Sequence, residues 1–556
     1  MKKYLVYAAI AVSFSAVLIA RVRRTIKPKE RVYGMHDIVS FDNFDEKVYG
    51  EKRRAEVVKL VEKAVAYLQK NNLGESLHAF SHDKSFVKGA IYLFAYDYNG
   101  VCLAHGKDNA RTWQNRITHR DAFGVPYVKM MIDKAKDGGG WVNYQRENTA
   151  KLSYVKGVNK DGKKILIGAG YYPVSKRDAV VALVRGAVEH FNVKVAEGNI
   201  PRTAFSEFSY PLGKFVVGDL YLYALRFDGL MMAQGDRPGL IGTNALNYQD
   251  SQGKFINRDI IKKLKQKDTG GVWIEYISKG APKKAYAEKV TDKNGKKYFI
   301  ACGYYTDTNR EKVVNLVKRG YTYLEKHGLS QAARKFTDRR DKKFRYGDLW
   351  LFLYDLKGKC WAHGKNADYV GTNRYDVQDE DGKYFVRDFI KKAKSGGGWT
   401  DHKEKGSYRF VYVEEVELGA DKFVIGCGIF PISKPESMQL LVKGAAGFLR
   451  DEPREKAFEE FIKRDGRFVK GDLEIFVFDM SGLCYVYGND YTMIWKDLFD
   501  AKDEAGKPYV KLIINTAKEG SGVVVYKENQ KFKAAYVMQV EKNGKTYAIG
   551  SSFYPN

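Results

Sequence analysis

The chain has 556 residues, 44% of them hydrophobic and 14% aromatic, which suffices for several packed cores, and it contains no low-complexity tract. This length predicts roughly three to five domains. Lys and Arg (95) outnumber Asp and Glu (67), and the net charge of +28 concerns solubility and attraction to polyanions rather than fold. Because the basic residues are spread along the whole chain, composition argues against a dedicated nucleic-acid-binding patch.

Residues 1–24 are interpreted as a signal sequence or a membrane anchor. Tyr4–Ala20 is uncharged and largely apolar, and lysines and arginines flank it. Its length is at the lower limit for crossing a hydrocarbon core, and no Ala-x-Ala cleavage site follows, so we favour an uncleaved anchor over a cleaved peptide. The basic cluster Arg21–Lys29 would keep the following residues in the cytoplasm by the positive-inside rule. Residues 25–50 are expected to be a linker.

An internal repeat organises the rest of the chain. The same series of landmarks begins at four glycines, at positions 89, 218, 347 and 471. The spacing far exceeds the roughly 20–50 residues of a solenoid repeat and equals a complete small domain. We therefore expect four tandem domains, in residues 51–177, 178–308, 309–434 and 435–556.

Each repeat is predicted to begin with a long amphipathic helix, as in Glu51–Asn72, where apolar residues recur every three or four positions. An apolar strand such as Leu349–Asp355 follows, then a glycine-containing tight turn and a return strand. A second helix, Tyr384–Lys394, crosses over and ends at a glycine run, and three strands complete the unit. The predicted fold class is α+β: an antiparallel sheet of about five strands, with helices covering one face.

The five cysteines occupy two repeat positions, Cys102, Cys360 and Cys484 at one and Cys302 and Cys427 at the other, and cysteines at the same position lie in separate domains. We expect them to be buried as small hydrophobic residues. A bridge between Cys360 and Cys427 would require adjacent Cβ atoms and is not expected.

The landmarks of the third repeat occur in a fixed order: Gly-Asp-Leu at Gly347, Ala-His-Gly around His363, Gly-Thr-Asn at Gly371, Asp-x-x-Gly-Lys from Asp379 and Gly-Gly-Gly-Trp ending at Trp399. This order resembles the single Cache domain, a PAS-like extracytoplasmic sensor domain. The second repeat is also close. The first departs in its middle loop, Asp121–Pro126, and the fourth departs further, with Val523 in place of the tryptophan and Tyr487 in place of the histidine.

The resemblance implies a pocket for a small ligand, between one sheet face and the loops and helix over it. Small carboxylates, amino acids or related metabolites are the implied ligands. It also implies a position in the cell envelope, anchored in the inner membrane and facing the periplasm or exterior, or secreted if the N-terminal segment is cleaved. Because the fourth repeat ends at Asn556, we expect any signal to pass through a separate partner.

A pocket for a small anion requires a basic residue, an aromatic wall and neutral hydrogen-bond donors. The basic candidates lie in the first turn of the crossover helix, where a solvated surface role is the alternative: Lys129, Arg258, Arg387 and Lys511. The first three repeats also offer an aromatic pair spaced by three, which a strand places on opposite faces: Trp141 and Tyr144, Trp273 and Tyr276, Trp399 and His402. His105 and His363 end the second strand and are candidate pocket walls.

Catalytic and cofactor signatures are not found: there is no Gly-x-Ser-x-Gly, no Cys/His ligand cluster and no phosphate-binding glycine loop. The loop at Asp379 lacks the twelfth-position ligand of a calcium loop and is interpreted as a turn before a helix. We expect a binding protein without enzymatic activity, metal or cofactor, with repeats 2 and 3 as the best ligand sites. One alternative is a basic scaffold that binds an acidic polymer or envelope surface. Another is nucleic-acid binding in the cytoplasm, which the lack of a recognised module disfavours.

Overall fold

The computed structural model describes residues 46–146, 149–172, 175–211, 213–431, 433–464, 466–488 and 490–555, with side chains from residue 52 onward. The predicted anchor at 1–24 and most of the predicted linker lie outside the described residues. The linker prediction is wrong at its end, because the first helix begins at Glu46 rather than at residue 51. Gly50 is a poor helix former, so the sequence pattern did not indicate that residues 46–50 are helical. Within the described residues, no helix is long and apolar enough to cross a membrane.

Four units of the same architecture follow one another, and the predicted α+β class is confirmed. Unit 1 contains α1 (Glu46–Lys70), α2 (Leu73–His82), β1 (Val87–Lys88), β2 (Ile91–Asp97), β3 (Cys102–His105), α3 (Tyr127–Lys136), β4 (Gly140–Arg146), β5 (Thr149–Lys160) and β6 (Lys163–Tyr171). Unit 2 contains α4 (Lys176–Ala196), α5 (Pro201–Phe208), β7 (Val216–Val217), β8 (Leu220–Arg226), β9 (Met231–Gln234), α6 (Ile256–Lys265), β10 (Val272–Ser278), β11 (Ala281–Thr291) and β12 (Lys297–Tyr305).

The two later units repeat this order. Unit 3 contains α7 (Arg310–Thr337), β13 (Arg345–Tyr346), β14 (Leu349–Asp355), β15 (Cys360–His363), α8 (Phe385–Lys394), β16 (Gly398–Glu404), β17 (Ser407–Leu418) and β18 (Asp421–Ile429). Unit 4 contains α9 (Lys434–Asp451), α10 (Arg454–Ile462), β19 (Ile475–Asp479), β20 (Cys484–Tyr487), α11 (Tyr509–Lys518), β21 (Ser521–Glu528), β22 (Lys531–Lys542) and β23 (Lys545–Phe553).

All four sheets are antiparallel, and their strand order is the same. In unit 3 the order is β13-β14-β18-β17-β16, with β15 beside β14. The first three sheets have six strands and the fourth has five. The helix α7 is two helical segments joined across Gly328, whose φ of 73° is outside the helical region.

Helices cover both faces of each sheet, so the prediction of one covered face is wrong. Alternate residues of a strand point to opposite faces, and in β14 both sets are large and apolar. Leu349, Leu351 and Leu353 pack in the core that includes α7. Trp350 and Phe352 pack in a second core beneath α8. The long helix and the crossover helix therefore enclose the sheet between them.

The units also pair with one another through the loops that precede their second strands. The N–H of Gly218 donates to the carbonyl of Lys405 at 3.0 Å, and the N–H of Gly347 donates to the carbonyl of Lys279 at 3.0 Å, so units 2 and 3 exchange equivalent bonds. Units 1 and 4 pair likewise, because the N–H of Gly89 donates to the carbonyl of Asn529 at 3.2 Å. The end of the described chain is thereby held against its beginning.

Candidate functional site

A cavity of about 680 Å³ lies in unit 3, between the inner face of its sheet and the crossover helix, and it extends to unit 2. This volume is typical of sites for small molecules. Aromatic side chains form much of the wall, among them Trp350, Tyr354, Tyr369, Phe385 and Phe389. The cavity lies where the resemblance predicts a ligand pocket.

Arg409 reaches this cavity from near the start of β17. Its side chain is buried, its Nη2 donates to the Gly428 carbonyl at 2.9 Å, and its guanidinium lies 4.3 Å from the Trp350 ring centre. Its Nη1 lies 3.3 Å from a Glu404 oxygen, while its Nε is buried without a hydrogen-bond partner among the described residues. A rigid guanidinium with a remaining donor suits a planar carboxylate.

Arg374 supplies a second cation from the loop between β15 and α8. The preceding Asn373 fixes this loop, because its side chain donates to the Lys357 carbonyl at 3.1 Å and accepts from the Tyr375 N–H at 2.8 Å. The Arg374 guanidinium stacks 3.8 Å from the Tyr369 ring centre, and its Nε is buried without a partner. In the described part of the chain no carboxylate forms an ion pair with it.

Two histidines of the cavity differ in their hydrogen bonding. His363 Nδ1 accepts from the Asn366 N–H at 2.8 Å, so in the neutral ring Nε2 is the donor. Burial, together with the charge of Arg409, lowers the pKa of His363 to about 3, so the ring is neutral at physiological pH. His402 stacks on Phe385 with ring centres 4.8 Å apart, and its Nδ1 has no partner within the described residues.

The charge lining the cavity is predominantly positive, with nine Lys and Arg side chains against six Asp and Glu. Burial alone would raise the pKa of Glu404, but the hydrogen bond to His402 and the charges of Arg409 and Lys365 hold it well below its usual value. Glu404 is therefore ionised and offsets part of the Arg409 charge. Arg374 has no such counter-charge, so the cavity favours an anion.

The predicted site residues do not form one site: some are exposed on the crossover helices, two line the cavity and others are buried in units 1 and 2. The four basic candidates are exposed on the crossover helices and do not line this cavity: Lys129, Arg258, Arg387 and Lys511. Arg387 forms an ion pair with Asp376, and Arg258 is hydrogen-bonded to Asn247. Of the predicted residues, His363 and His402 line the cavity. His105 and Tyr144 are buried in unit 1, and Tyr276 in unit 2 packs beneath α6.

The three tryptophans lie on the face opposite their strand partners, as the spacing of three predicts. Trp399 packs in the core beside α7, whereas His402 faces α8. Each tryptophan is covered by an arginine of the long helix, at 5.1–5.4 Å from the ring centre: Arg54 over Trp141, Arg177 over Trp273 and Arg310 over Trp399. These contacts give the tryptophans a packing role.

Sequence reasoning missed both arginines of the cavity. Arg409 is one of four basic residues at the same strand position, each directly opposite Tyr144, Tyr276, His402 or Tyr526: Lys151, Lys283, Arg409 and Lys533. The available signal was a basic residue near the start of this strand, at the same register in all four units. For Arg374, the signal was its place directly after the Gly-Thr-Asn turn.

The four units differ in the residues that correspond to His363, Tyr354 and Arg374 of unit 3. Unit 1 retains the histidine, the tyrosine and the loop arginine of unit 3, as His105, Tyr96 and Arg116, but has Lys151 in place of Arg409. Units 2 and 4 replace the histidine and the loop arginine: Gln234 and Ala245 in unit 2, Tyr487 and Leu498 in unit 4. In unit 4 the strand lysine is also neutralised, because Glu528 lies 2.7 Å from Lys533.

A comparison with family models matches residues 42–199 and 211–430 to a family described as Cache domain. The match covers units 1 to 3, and unit 4 resembles them in its strand order. A search of the curated proteins found no match.

Among solved structures, a methyl-accepting chemotaxis protein from Vibrio parahaemolyticus is 19% identical, over 23% of this chain and 93% of its own, with a TM-score of 0.20. A structure described as a Cache chemosensory domain that recognises carboxylic acid is 19% identical, over 22% of this chain and 91% of its own, with a TM-score of 0.19. The ligand-binding domain of Pseudomonas fluorescens chemoreceptor CtaA, in complex with L-serine, is 13% identical, over 45% and 87%, with a TM-score of 0.15.

Proposed function

The chain belongs to the Cache domain family, and on that premise we propose that it is an extracytoplasmic, sensory-type protein whose unit 3 cavity binds a small anion. The ligand class is a small carboxylate, an amino acid or a related metabolite. One observation carries this proposal: buried Arg409 and half-buried Arg374 line one aromatic-walled cavity, and the Nε atom of each has no hydrogen-bond partner among the described residues.

The chemistry of the cavity fits such a ligand. A guanidinium donates two parallel hydrogen bonds to a carboxylate, and exclusion of water strengthens them. The aromatic rings of Trp350 and Tyr369 already stack on the two guanidinium groups, which limits their movement. The Nε2–H of neutral His363 offers a further donor. A bound carboxylate would thus meet preorganised groups, which reduces the entropy lost on binding.

The proposed position in the cell envelope rests on the family and on the apolar sequence Tyr4–Ala20, which would anchor the chain in the membrane. A separate signalling partner would receive the signal. Binding within a closed cavity would depend weakly on salt, whereas binding of an acidic polymer through the +28 charge would collapse between low and moderate ionic strength.

The full chain can be screened by thermal shift against organic acids and amino acids at constant ionic strength, and the best ligand measured by calorimetry. We expect Arg374→Gln to weaken binding by about 10- to 100-fold, since hydrogen bonds to charged groups contribute about 1.5–3 kcal/mol. Arg387→Gln is the matched control, because it removes the same charge from the exposed helix surface. Equal losses in both variants, or no ligand in the screen, would contradict the proposal.

A further inference from the structure

The unit 3 cavity continues between units 2 and 3, so that one end of it has walls from both units. We call this end the interface recess. Its basic residues are Arg237 and Lys279 from unit 2 and Arg339, Arg345, Lys365 and Lys405 from unit 3. Because the recess and the pocket that contains Arg374 and Arg409 are parts of one cavity, a single ligand can contact both.

Two lysines of the recess come from equivalent hairpin turns. Lys279 occupies the turn between β10 and β11, Lys405 occupies the turn between β16 and β17, and their φ angles are 50° and 55°. The carbonyls of these two lysines accept the N–H bonds that join units 2 and 3. The pairing of the units therefore fixes both lysine backbones at the wall of the recess. In unit 4 the carbonyl that accepts the equivalent bond belongs to Asn529, so the pairing itself does not require a lysine.

One carboxylate, Asp236 of unit 2, lies among these cations. Lys279 Nζ is 3.5 Å from an Asp236 oxygen. Burial would raise the pKa of Asp236, but the charges of Lys279 and Lys365 lower it. The same carboxylate also acts on Arg345 and Lys405 and favours their charged forms. A single negative charge is thus shared by four positive side chains.

The other carboxylates of the cavity are already engaged. Glu404 lies 3.3 Å from Arg409 and 3.8 Å from Lys365, so its charge is divided between the pocket and the recess. Glu380 accepts from the Gly406 N–H at 3.0 Å. The remaining carboxylates of the wall face Lys176 or accept from backbone N–H groups: Asp219, Asp348 and Asp379. The recess therefore keeps an excess of positive charge.

Lys405 and Arg345 have no carboxylate at ion-pair distance within the described part of the chain. Burial and the adjacent charge of Lys365 lower the pKa of Lys405 to about 8. The Arg345 Nε is buried without a hydrogen-bond partner among the described residues. Like charges held together in a partly desolvated place are unfavourable unless an anion compensates them. The donors of both side chains are thus available to an anion at the cavity wall.

We propose that the ligand of the unit 3 cavity carries two anionic groups, the second of which binds in the interface recess to Lys279, Arg345 and Lys405. This inference rests on the proposed function, which assigns the first group, a carboxylate, to Arg374 and Arg409. The ligand class narrows to a dicarboxylate or to a carboxylate with a phosphate-type group at its other end. Because the recess takes its cations from both units, the second anionic group would strengthen the contact between units 2 and 3.

Calorimetry of the full chain at constant ionic strength tests this proposal. The probes are the linear dicarboxylates from malonate to sebacate, the monocarboxylate of equal chain length for each, and phosphonopropionate for a phosphate-type second group. We expect at least one dianion to bind at least about tenfold more tightly than its matched monocarboxylate, the effect of one hydrogen bond between charged groups.

Lys405→Gln should remove this advantage of the dianion and leave the affinity for the monocarboxylate unchanged. The variant should fold, because it removes an unpaired cation beside Lys365, and thermal unfolding without ligand checks this. Lys293→Gln is the matched control, because it removes the same charge from an exposed turn of unit 2 and should leave both affinities unchanged.

Failure of this inference differs from failure of the proposed function. If the proposed function is wrong, no carboxylate or amino acid binds, or Arg374→Gln affects neither series, and the inference is overturned with it. If the inference alone is wrong, monocarboxylates or amino acids bind through Arg374, but no dianion binds more tightly than its matched monocarboxylate. Equal losses of both series in Lys405→Gln, or an equal loss of dianion affinity in Lys293→Gln, would also overturn it.

Discussion

The closure of unit 4 on unit 1 predicts an energetic coupling between residues 475 positions apart in sequence. Lys531 of β22 lies 2.9 Å from Glu56 of α1, and their side chains are 11% and 12% exposed. At this distance and an effective dielectric constant of about 20, two unit charges attract by roughly 6 kcal/mol. Desolvation of both groups costs several kcal/mol, so we expect a net coupling of about 1–3 kcal/mol.

The pKa of each group is lowered, which favours the charged form of Glu56 but the neutral form of Lys531. Burial would raise the pKa of Glu56, but the hydrogen bond from Lys531 and nearby positive charges lower it. The pKa of Lys531 is also lowered, to about 8, because its burial and the neighbouring Arg53 outweigh the carboxylate. The pair therefore favours an ionised Glu56 more than a charged Lys531. We expect Glu56→Gln, which leaves a buried cation, to destabilise the chain more than Lys531→Met does.

A double-mutant cycle of Glu56→Gln and Lys531→Met measures this coupling, from the urea midpoint of the first unfolding transition followed by tryptophan fluorescence. The matched control is the cycle of Glu62→Gln and Lys156→Met, an ion pair within unit 1 whose side chains are 43% and 34% exposed. Exposed pairs contribute about 0–1 kcal/mol. Additive effects of Glu56→Gln and Lys531→Met, with no coupling beyond the control, would refute the closure of the chain ends.

Two further predictions concern unit 3. Burial lowers the pKa of His363 from 6.5 to about 3, so between these pH values the unfolded state binds one more proton than the folded state, and stability falls as the pH falls. Between pH 7 and pH 5, the free energy of unfolding of His363→Gln should therefore fall by about 2 kcal/mol less than that of the wild type. The control is His327→Gln, a substitution at an exposed histidine, which should match the wild type in urea titrations. The Cβ added by Gly426→Ala would clash with the Phe352 ring, so we expect this variant to destabilise the protein by about 1–3 kcal/mol, measured by thermal unfolding. Gly239→Ala is the control, because its Cβ would point into open space.

The sequence was sufficient for the repeat, the α+β class and most element positions, because glycine turns and apolar periodicities are local signals. The apolar residues on both sides of β14 predict that both sheet faces are covered, but sequence reasoning assigned helices to one face only. Nor could it show that units pair, since the bonds from Gly89, Gly218 and Gly347 join turns distant in sequence. Pairing depends on the shapes of folded surfaces, which no local pattern encodes.

The helical periodicity of α8 could have excluded Arg387 as a residue of the pocket. In α8 the buried residues are Val386, Phe389, Ile390 and Ala393, a single helical face directed at the sheet. Arg387 lies outside this face, so its exposure follows from the sequence pattern. Arg374 and Arg409 were harder to find, because one lies in a loop and the other lies in a strand that contains further charged residues.

The pockets of units 1 and 3 have similar residues but differ in their contacts with the neighbouring unit. Units 1 and 3 carry the same histidine and loop arginine, but the loop over unit 1 is tied to unit 4, where Lys107 lies 2.6 Å from Glu474. The equivalent of Lys107 in unit 3 is Lys365, and the equivalent of Glu474 in its neighbour is Tyr221, which cannot form an ion pair. Lys365 and Tyr221 both line the unit 3 cavity instead. A ligand in unit 3 would therefore contact unit 2 directly, so that occupancy of the pocket is coupled to the interface between the two units.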